Sequence, residues 1–458
     1  MLYETNSRNV KPGQIFVAIK GHTVDGHDFI EDAIKNGAIK IIAEKEINCN
    51  VPVEVVPSTE EYLKHVLKEK YADEISKLKI IGITGTNGKT TTAFFTYQLL
   101  NSLKENCAYI GTIGIKYQDE ELETDNTTPN ILELYTILLN LLKKNCQTVV
   151  MEISSHALSF ERIYGLKLNI VAFTNLTEDH LDYHKTMENY LNTKLKIIDY
   201  LLPNGELIVN GDDEVSQKFI DKFHKGIRLG FNASYNYYIK NTTITPSQTN
   251  IEFVYKNENF KVTTNLTSKF NVYNYITSLA IVHSLGYDIT SIIKETHKLH
   301  APKGRCETHK VNNGYAVIDY AHTPDAVEKV INTYNELKTN HIITIVGCGG
   351  DRDPIKRPIM GKIASELSDF VIFTSDNPRT ENPNKIMNDI LKGVTSNNYE
   401  VELDRRAAIK KGIEMLEPED ILLILGKGHE DYQIIGHTKI HLDDAEEVEN
   451  WKAEHEKN

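Results

Sequence analysis

Residues 84–92 read Thr-Gly-Thr-Asn-Gly-Lys-Thr-Thr-Thr, and Ile80-Ile81-Gly82-Ile83 precede them. An apolar run that breaks into Gly-x-x-Gly-Lys-Thr and then continues in helix-compatible residues is the layout of a strand, a phosphate-cradling turn and a helix N-terminus. Gly85 and Gly88 free backbone N–H groups to point at phosphate oxygens, with Thr86, Asn87 and Thr91 in the same cradle. Lys89 is spaced to reach the β- and γ-phosphates of ATP, and the Thr90 hydroxyl can ligate Mg²⁺. The full-length pattern places a Gly five residues before the Gly88-Lys89 pair, where Ile83 stands, so the loop is a shortened variant. A plain Gly-rich strand-to-helix turn is the alternative at this point.

The bulk composition narrows the field. The chain has 458 residues, 40% hydrophobic and 25% charged, enough for several domains of a water-soluble protein. Its net charge of −13, from 51 basic and 64 acidic residues, argues against a general binder of nucleic acid or membrane surfaces. Any polyanion must therefore be held by local Lys, Arg and backbone amides. The five cysteines are scattered without a C-x-x-C, which fits reduced thiols rather than a disulfide framework or a zinc site. The first residues lack the apolar core of a signal peptide, and no stretch approaches the ~20 apolar residues of a membrane span. A cytoplasmic protein is expected.

Periodicity organises the chain into an α/β protein. Residues 1–78 alternate short apolar segments such as 14–19 with one helical stretch near 29–36, which suggests a small mixed domain. From Lys79 the pattern becomes strand–helix alternation. Strands are expected at 80–84, 147–153 and 170–174, with helices over 89–103 and 187–201. Residues 233–267, rich in Thr, Asn and aromatics, read as a β-rich appendage. After Ala301-Pro302-Lys303-Gly304 a second series begins, with strands near 315–319, 341–346, 370–375 and 420–425. Two successive α/β blocks imply two parallel sheets, each binding ligands at the carboxyl ends of its strands. The expected domains are 1–78, 79–301 and 302–458.

Three further stretches carry chemistry. Glu152 closes the strand before Ile153-Ser154-Ser155-His156, where a carboxylate could serve a cation or simply cap the next helix. The segment 174–184 sets Glu178, Asp179, His180, Asp182 and His184 at the end of the next strand, more than a solvated turn needs. Lys194 lies on the helix that follows, and alone would read as an ordinary exposed lysine.

Taken together, T-G-T-N-G-K-T-T (84–91), N-T-T-P (126–129), M-E-I-S-S-H-A-L (151–158), F-T-N-L-T-E-D-H-L-D-Y-H (173–184) and Y-x-x-x-K (190–194) resemble the Mur ligases, which extend the peptidoglycan stem peptide. Downstream, D-Y-A-H-T-P-D-A (319–326), G-C-G-G-D-R-D (347–353), K-R-P (356–358), D-N-P-R (376–379) and G-K-G-H-E-D-Y-Q (426–433) resemble the members that add the third residue, meso-diaminopimelate. The resemblance runs from residue 5 to about residue 436. It implies a three-domain architecture: an N-terminal UDP-binding domain, a central P-loop ATPase built on a parallel sheet, and a C-terminal Rossmann-like domain that binds the amino acid. It also implies ATP and Mg²⁺, a UDP-MurNAc-L-Ala-D-Glu acceptor, a monomer, and a role in cell-wall biogenesis, cell shape and cell division.

Carried over residue by residue, the resemblance makes Lys89, Glu152, His180 and Lys194 catalytic. Thr90, Glu152 and His180 would hold Mg²⁺, and Lys194 would be carbamylated to N6-carboxylysine, turning a cation that repels the metal into an anion that organises it. Ser7, His22, Thr23, Thr127, Thr128, Ser154 and Arg162 would bind the UDP-sugar peptide; Asn271, Asn274, Arg305 and Asp319 would join the loop in binding ATP. The amino-acid set would be Arg352, Asp376, Asn377, Pro378, Arg379, Gly426 and Glu430. Diaminopimelate differs from lysine by a distal carboxylate, and the planar fork of Arg379 suits that group. The implied chemistry is an acyl phosphate attacked by an amine, with closure of the C-terminal domain about hinges near Lys79 and 301–304.

Four departures accompany the resemblance. The chain opens almost directly on the uridine motif, so an N-terminal strand is expected to be missing. Asn6 replaces an Asp, Phe160 stands where a polar residue commonly faces the acceptor, and Ser268 stands where a Gly usually precedes F-N-V. Two alternatives have distinct signatures. A ligase of the same family that adds lysine should lack Arg379, and a phosphate-loop switch or motor has no use for Arg379, Thr127, Thr128 or Lys194.

Overall fold

The apolar run before the phosphate loop forms the central strand Lys79–Thr84, and the helix after it spans Lys89–Ser102. A computed structural model describes residues 1–21 and 24–456, and the chain divides into two compact units, Met1–Arg228 and Leu229–Asn458.

The first unit opens with four parallel strands, Tyr3–Glu4, Ile15–Val17, Lys40–Ala43 and Val53–Val55, in that order. The two-residue strand at Tyr3 occupies the edge where the sequence led us to expect none. Val10, Phe16, Ala18, Ile30, Ala33 and Ile41 form a small apolar core on this sheet. The helix Thr59–Ile75 then leads into the second sheet. Here Lys79–Thr84 lies between Leu168–Phe173 and Thr148–Glu152, all three parallel. Their interiors are nearly all Ile, Val, Leu, Ala and Phe, as expected for strands covered on both faces. The register pairs Ile83 with Glu152 and Thr84 with Phe173. The carboxyl ends of three neighbouring strands therefore release the phosphate loop, Glu152 and the 174–184 segment at one edge. Cys107–Gly111 extends the sheet in parallel, and the strands Gly114–Tyr117 and Glu120–Leu122 finish it antiparallel. The helix expected over 187–201 ends earlier, at Leu195, and a 3₁₀ turn Lys196–Tyr200 follows.

The second unit begins with the expected β-rich segment, three antiparallel strands Tyr237–Ile244, Thr249–Tyr255 and Glu258–Thr264. The helix Lys269–Ser284 follows, almost wholly buried. Beyond it a six-stranded sheet runs Glu307–Val311, Gly314–Asp319, Ile421–Leu425, Ile342–Val346, Phe370–Phe373, Tyr399–Val401, parallel after the first strand. The apolar strand Ile421–Leu425 and the strand Ile342–Val346, apolar but for the buried Thr344, occupy its middle, and helices cover both faces through two separate apolar cores. A short hairpin, Tyr432–Ile435 with Thr438–His441, sits outside the sheet.

Ser268 departs from ordinary backbone geometry. It holds φ +88° and ψ 147° at the start of the Lys269–Ser284 helix, with its hydroxyl accepting from Asn271 N. That region belongs essentially to glycine and costs any other residue roughly 1–3 kcal/mol. The cap is worth less, since glycine replaces a serine cap at a loss of only a few tenths of a kcal/mol. Ser268→Gly is therefore expected to raise the free energy of unfolding by about 1 kcal/mol, measured by urea denaturation. A decrease would mean that the hydroxyl outweighs the strain.

Candidate active site

Gly88 caps the Lys89–Ser102 helix at φ +81°, a left-handed conformation that glycine adopts without strain. The loop's helix N-terminus is thereby aimed past the end of the sheet, where an anion is favoured. Lys89 folds over the loop, its Nζ donating to the carbonyls of Gly85 (3.0 Å) and Thr86 (2.8 Å). Asn87 N donates to Asn175 Oδ1 at 3.0 Å, and Thr86 Oγ1 lies 3.2 Å from Tyr190 Oη. Thr91 is buried within the helix behind them.

Glu152 is fully buried, yet its carboxylate is well supplied with donors. Thr90 Oγ1 donates to Oε2 at 2.9 Å, while Tyr109 Oη (2.5 Å) and Thr112 N (2.9 Å) donate to Oε1. Thr112 Oγ1 also lies 3.0 Å from Thr127 Oγ1, which ties Thr127 to the same carboxylate. Next along, Thr128 Oγ1 donates to the Glu152 carbonyl (2.9 Å), accepts from Ser154 N (3.1 Å), and its own carbonyl takes Arg162 Nη1 (2.8 Å). Ser154 spends its hydroxyl capping the helix Ser155–Ser159. Glu152, Thr127, Thr128, Ser154 and Arg162 thus form one connected wall.

Lys194 is 1% exposed, and its Nζ donates to the Gly85 carbonyl at 2.7 Å, the same oxygen that Lys89 uses. Burial, and then the charge of Lys89, push its amine well below the ordinary lysine range. The sequence alone placed this residue on a solvated helix face; the fold turns it inward against the ring of Tyr190, 4.5 Å away. His180 takes a left-handed backbone conformation (φ +53°) with a half-exposed ring that meets His156 (centroids 5.0 Å apart) and Asp179 (3.4 Å). It is not brought into contact with Glu152, and among the described residues no three His, Cys, Asp or Glu side chains gather into a ready-made cation site. His156 and His184 are both held below the usual histidine value, chiefly by burial. Phe160, the apolar departure, stacks on His156 and lies under the Arg162 guanidinium at 5.8 Å.

In the N-terminal sheet region, Ser7 is buried in a short 3₁₀ turn that Asn6 caps. His22 and Thr23 lie outside the described residues.

The second unit brings together its own set. Asn271 and Asn274 are buried on one face of their helix, with Asn274 Nδ2 donating to Asn271 Oδ1 at 3.1 Å. Asp319 ends its strand and accepts from Cys306 N and Ala321 N, both at 2.9 Å; burial pushes its carboxyl up despite the neighbouring Arg305. The Arg305 guanidinium lies over the Tyr320 ring at 5.0 Å.

The amino-acid candidates sit at the carboxyl ends of the middle strands. Asn377 Nδ2 donates to Glu430 Oε2 (2.8 Å), and its Oδ1 accepts from Ile434 N (2.8 Å). Asp376 flanks Gly426 so closely that a Cβ there would meet its carboxylate at 2.8 Å. Arg379 adopts φ +51°, with its N–H donating to the Ile434 carbonyl (2.9 Å) and its carbonyl accepting from Gly436 N (2.7 Å). Its Nη1 donates to the Gly350 carbonyl at 2.8 Å. Gly350 must be glycine because a Cβ would collide with the Pro378 carbonyl. Arg352 is exposed, and its side chain and the Arg379 guanidinium both lie beside Gly349.

Sequence reasoning passed over several residues that build these sites. Tyr109 and Thr112 complete the shell of Glu152, but a Tyr inside an apolar strand reads as core. Lys427 is fully buried and donates to Tyr432 O and Glu430. Arg405 is also fully buried, forks onto Asp444 (2.8 and 2.6 Å), and donates to the Leu425 carbonyl just before Gly426. Arg357 shares the inward stripe of its helix with Met360, Gly361 and Ala364. A charge on an i, i+3, i+4, i+7 apolar stripe was a readable signal.

Comparison with known proteins places this geometry in a family. Profiles for the Mur ligase catalytic domain, the Mur ligase middle domain and the glutamate ligase domain match residues 2–79, 83–282 and 304–428. The UDP-N-acetylmuramoyl-L-alanyl-D-glutamate–2,6-diaminopimelate ligase of Fusobacterium nucleatum is 43% identical, over 97% of this chain and 92% of the relative. Its counterpart in Clostridium botulinum is 39% identical over 97% and 94%. A solved structure of a ligase of the same name aligns with a TM-score of 0.73 at 32% identity, covering 100% of this chain and 95% of that one. The fold also matches, at TM-score 0.67 and 18% identity, a D-alanyl-D-alanyl-adding ligase from Acinetobacter baumannii over 99% and 92% of the two chains.

Proposed function

The chain belongs to the Mur ligase family, and from that membership we propose that it joins meso-diaminopimelate to the D-glutamyl γ-carboxylate of UDP-MurNAc-L-Ala-D-Glu, with ATP as phosphoryl donor. The relatives at 39–43% identity carry this activity in their names. The observation that carries the ligase chemistry is a buried lysine, Lys194, meeting the phosphate-loop lysine at one carbonyl, Gly85 O. A motor or switch has no need of that second lysine.

In the proposed reaction the γ-carboxylate attacks the γ-phosphorus of ATP, ADP leaves, and the acyl phosphate is attacked by the diaminopimelate amine. Lys89 and the loop amides hold the phosphates, which lowers the repulsion between two anions. The wall of Thr127, Thr128, Ser154 and Arg162 is suited to orienting the acceptor's peptide beside them. Burial and the charge of Lys89 lower the pKa of the Lys194 amine, which favours the nitrogen's forming a bond to the carbon of CO₂ while its proton leaves to water. The product, a carbamate, exchanges a repelling cation for an anion. Thr90 and Glu152, whose hard oxygens lie 2.9 Å apart, would hold Mg²⁺, which would supply charge neutralisation at the phosphates. His180 would reach that site only by a rotation of its half-exposed ring.

Arg379, Asn377 and Glu430 are the groups suited to an amino acid with a carboxylate at each end and two amines. We also propose the three domains 1–78, 79–301 and 302–458, on the strength of the separate sheets in the first and last. A cytoplasmic monomer is proposed as well, from the family membership and, for the compartment, from five free thiols that suit a reducing environment. Release of ADP tests the proposal. It is expected only when ATP, the UDP-MurNAc-dipeptide and diaminopimelate are all present. Full ADP release with ATP alone would overturn it in favour of an ATPase.

A further inference from the structure

Arg379 owes its position to a buried scaffold, and the scaffold centres on Arg357. Arg357 is 1% exposed although fully charged, at the start of the Lys356–Leu367 helix. Its Nη2 and Nη1 donate to the two carboxylate oxygens of Glu381 (2.7 and 3.1 Å), Nη1 also reaches Asp389 (3.2 Å), and Nη2 reaches the Gly349 carbonyl (3.3 Å). The fork therefore spans two loops, 347–353 and 376–381, that leave neighbouring parallel strands. Every other tie between those loops runs close by. Glu381 Oε1 accepts from Asp351 N (2.6 Å), Asp351 accepts from Thr380 Oγ1 (2.8 Å) and Thr380 N (3.1 Å), and Gly350 N donates to Asn377 O (2.9 Å). The Gly350 carbonyl is then the one protein acceptor of the Arg379 guanidinium among the described residues.

We propose that Arg357, with Glu381, is a positioning residue for the incoming amino acid: it locks the two loops together so that the Arg379 fork is presented in one orientation. The proposal rests on the diaminopimelate reading above. An ammonium cannot replace the fork, because Lys has one nitrogen where Arg357 uses two, Nη2 for Glu381 and Gly349 and Nη1 for Glu381 and Asp389. A buried charge of this kind also costs desolvation, which a purely structural tie would avoid with an apolar side chain. Among the described residues Arg357 donates to Glu381, Asp389 and the Gly349 carbonyl; it acts through the Gly349–Asp351 backbone and Glu381.

The test is steady-state kinetics of Arg357→Lys, Glu381→Gln and the double variant, with each of three substrates varied and with lysine as competing amine. Arg357→Lys is expected to raise KM for diaminopimelate about ten-fold, with KM for ATP and for the UDP-MurNAc-dipeptide within about two-fold of the parent. Preference for diaminopimelate over lysine should fall by a similar factor. Glu381→Gln should act in the same direction, and the double variant should lose less than the product of the two, since both act on one tie. Glu381 is partly exposed, so its variant preserves the readout where Arg357→Lys fails to fold. An unchanged KM for diaminopimelate in folded variants, or equal losses for all three substrates, would overturn the positioning role. A parent enzyme that does not release ADP with diaminopimelate overturns the functional reading, and this proposal with it.

Discussion

Lys194→Met is expected to lower turnover about 10²–10³-fold, the size of effect seen when one preorganised charge is removed from a transition-state site. Part of the activity should return when a short carboxylic acid such as formate is added, because it can stand where the carbamate stood. Methionine keeps the buried stem but offers no nitrogen to CO₂. The variant should not be less stable, since burying an amine beside the charge of Lys89 is itself unfavourable. The sign of the pH dependence follows. The amine's pKa is depressed in the folded chain, whereas the unfolded chain holds its proton up to about 10.4. Between those two values the unfolded state binds the extra proton, so Lys194 makes the parent gain stability as pH rises through that window. Lys194→Met should lack that gain. Unaltered turnover in the variant would remove the carbamate from the account.

The second large effect is expected at Arg379. Its backbone sits at φ +51°, clamped between Ile434 and Gly436, a left-handed conformation that costs any residue with a Cβ. Asparagine tolerates that conformation and isolates the side chain's contribution. Arg379→Asn should reduce kcat/KM for diaminopimelate about 10³-fold, from two lost hydrogen bonds to a charged group at ~1.5–3 kcal/mol each. KM for ATP should hold, and the already weak use of lysine should change little, since lysine has no distal carboxylate to lose. Parallel losses with both amines would show that Arg379 supports the loop rather than selecting the substrate.

The strands and the phosphate loop were legible because their signals are local. The 80–84 run, Gly85, Gly88 and Lys89 lie within ten residues, and the central parallel strands are mostly apolar. The gathering of Glu152 with Thr90 was also foreseeable, since Glu152 ends a strand adjacent to the one that feeds the phosphate loop and its helix. What lay hidden depends on which way a helix faces. Lys194 reads as solvated until the 187–195 helix turns it onto Gly85. Tyr109 looks like core until its hydroxyl is seen on Glu152. The strain at Ser268 and the clamp on Arg379 are backbone properties that side-chain patterns do not encode. His180 shows the reverse case, a motif residue whose ring does not yet meet the carboxylate it is expected to join.

The most direct test of the account is the product formed from ATP, UDP-MurNAc-L-Ala-D-Glu and equal concentrations of meso-diaminopimelate and L-lysine, read by mass spectrometry. The account predicts a single new nucleotide-linked species, heavier than the acceptor by one diaminopimelate residue and formed in step with ADP. A lysine adduct as the main product, or ADP without any adduct, would contradict it.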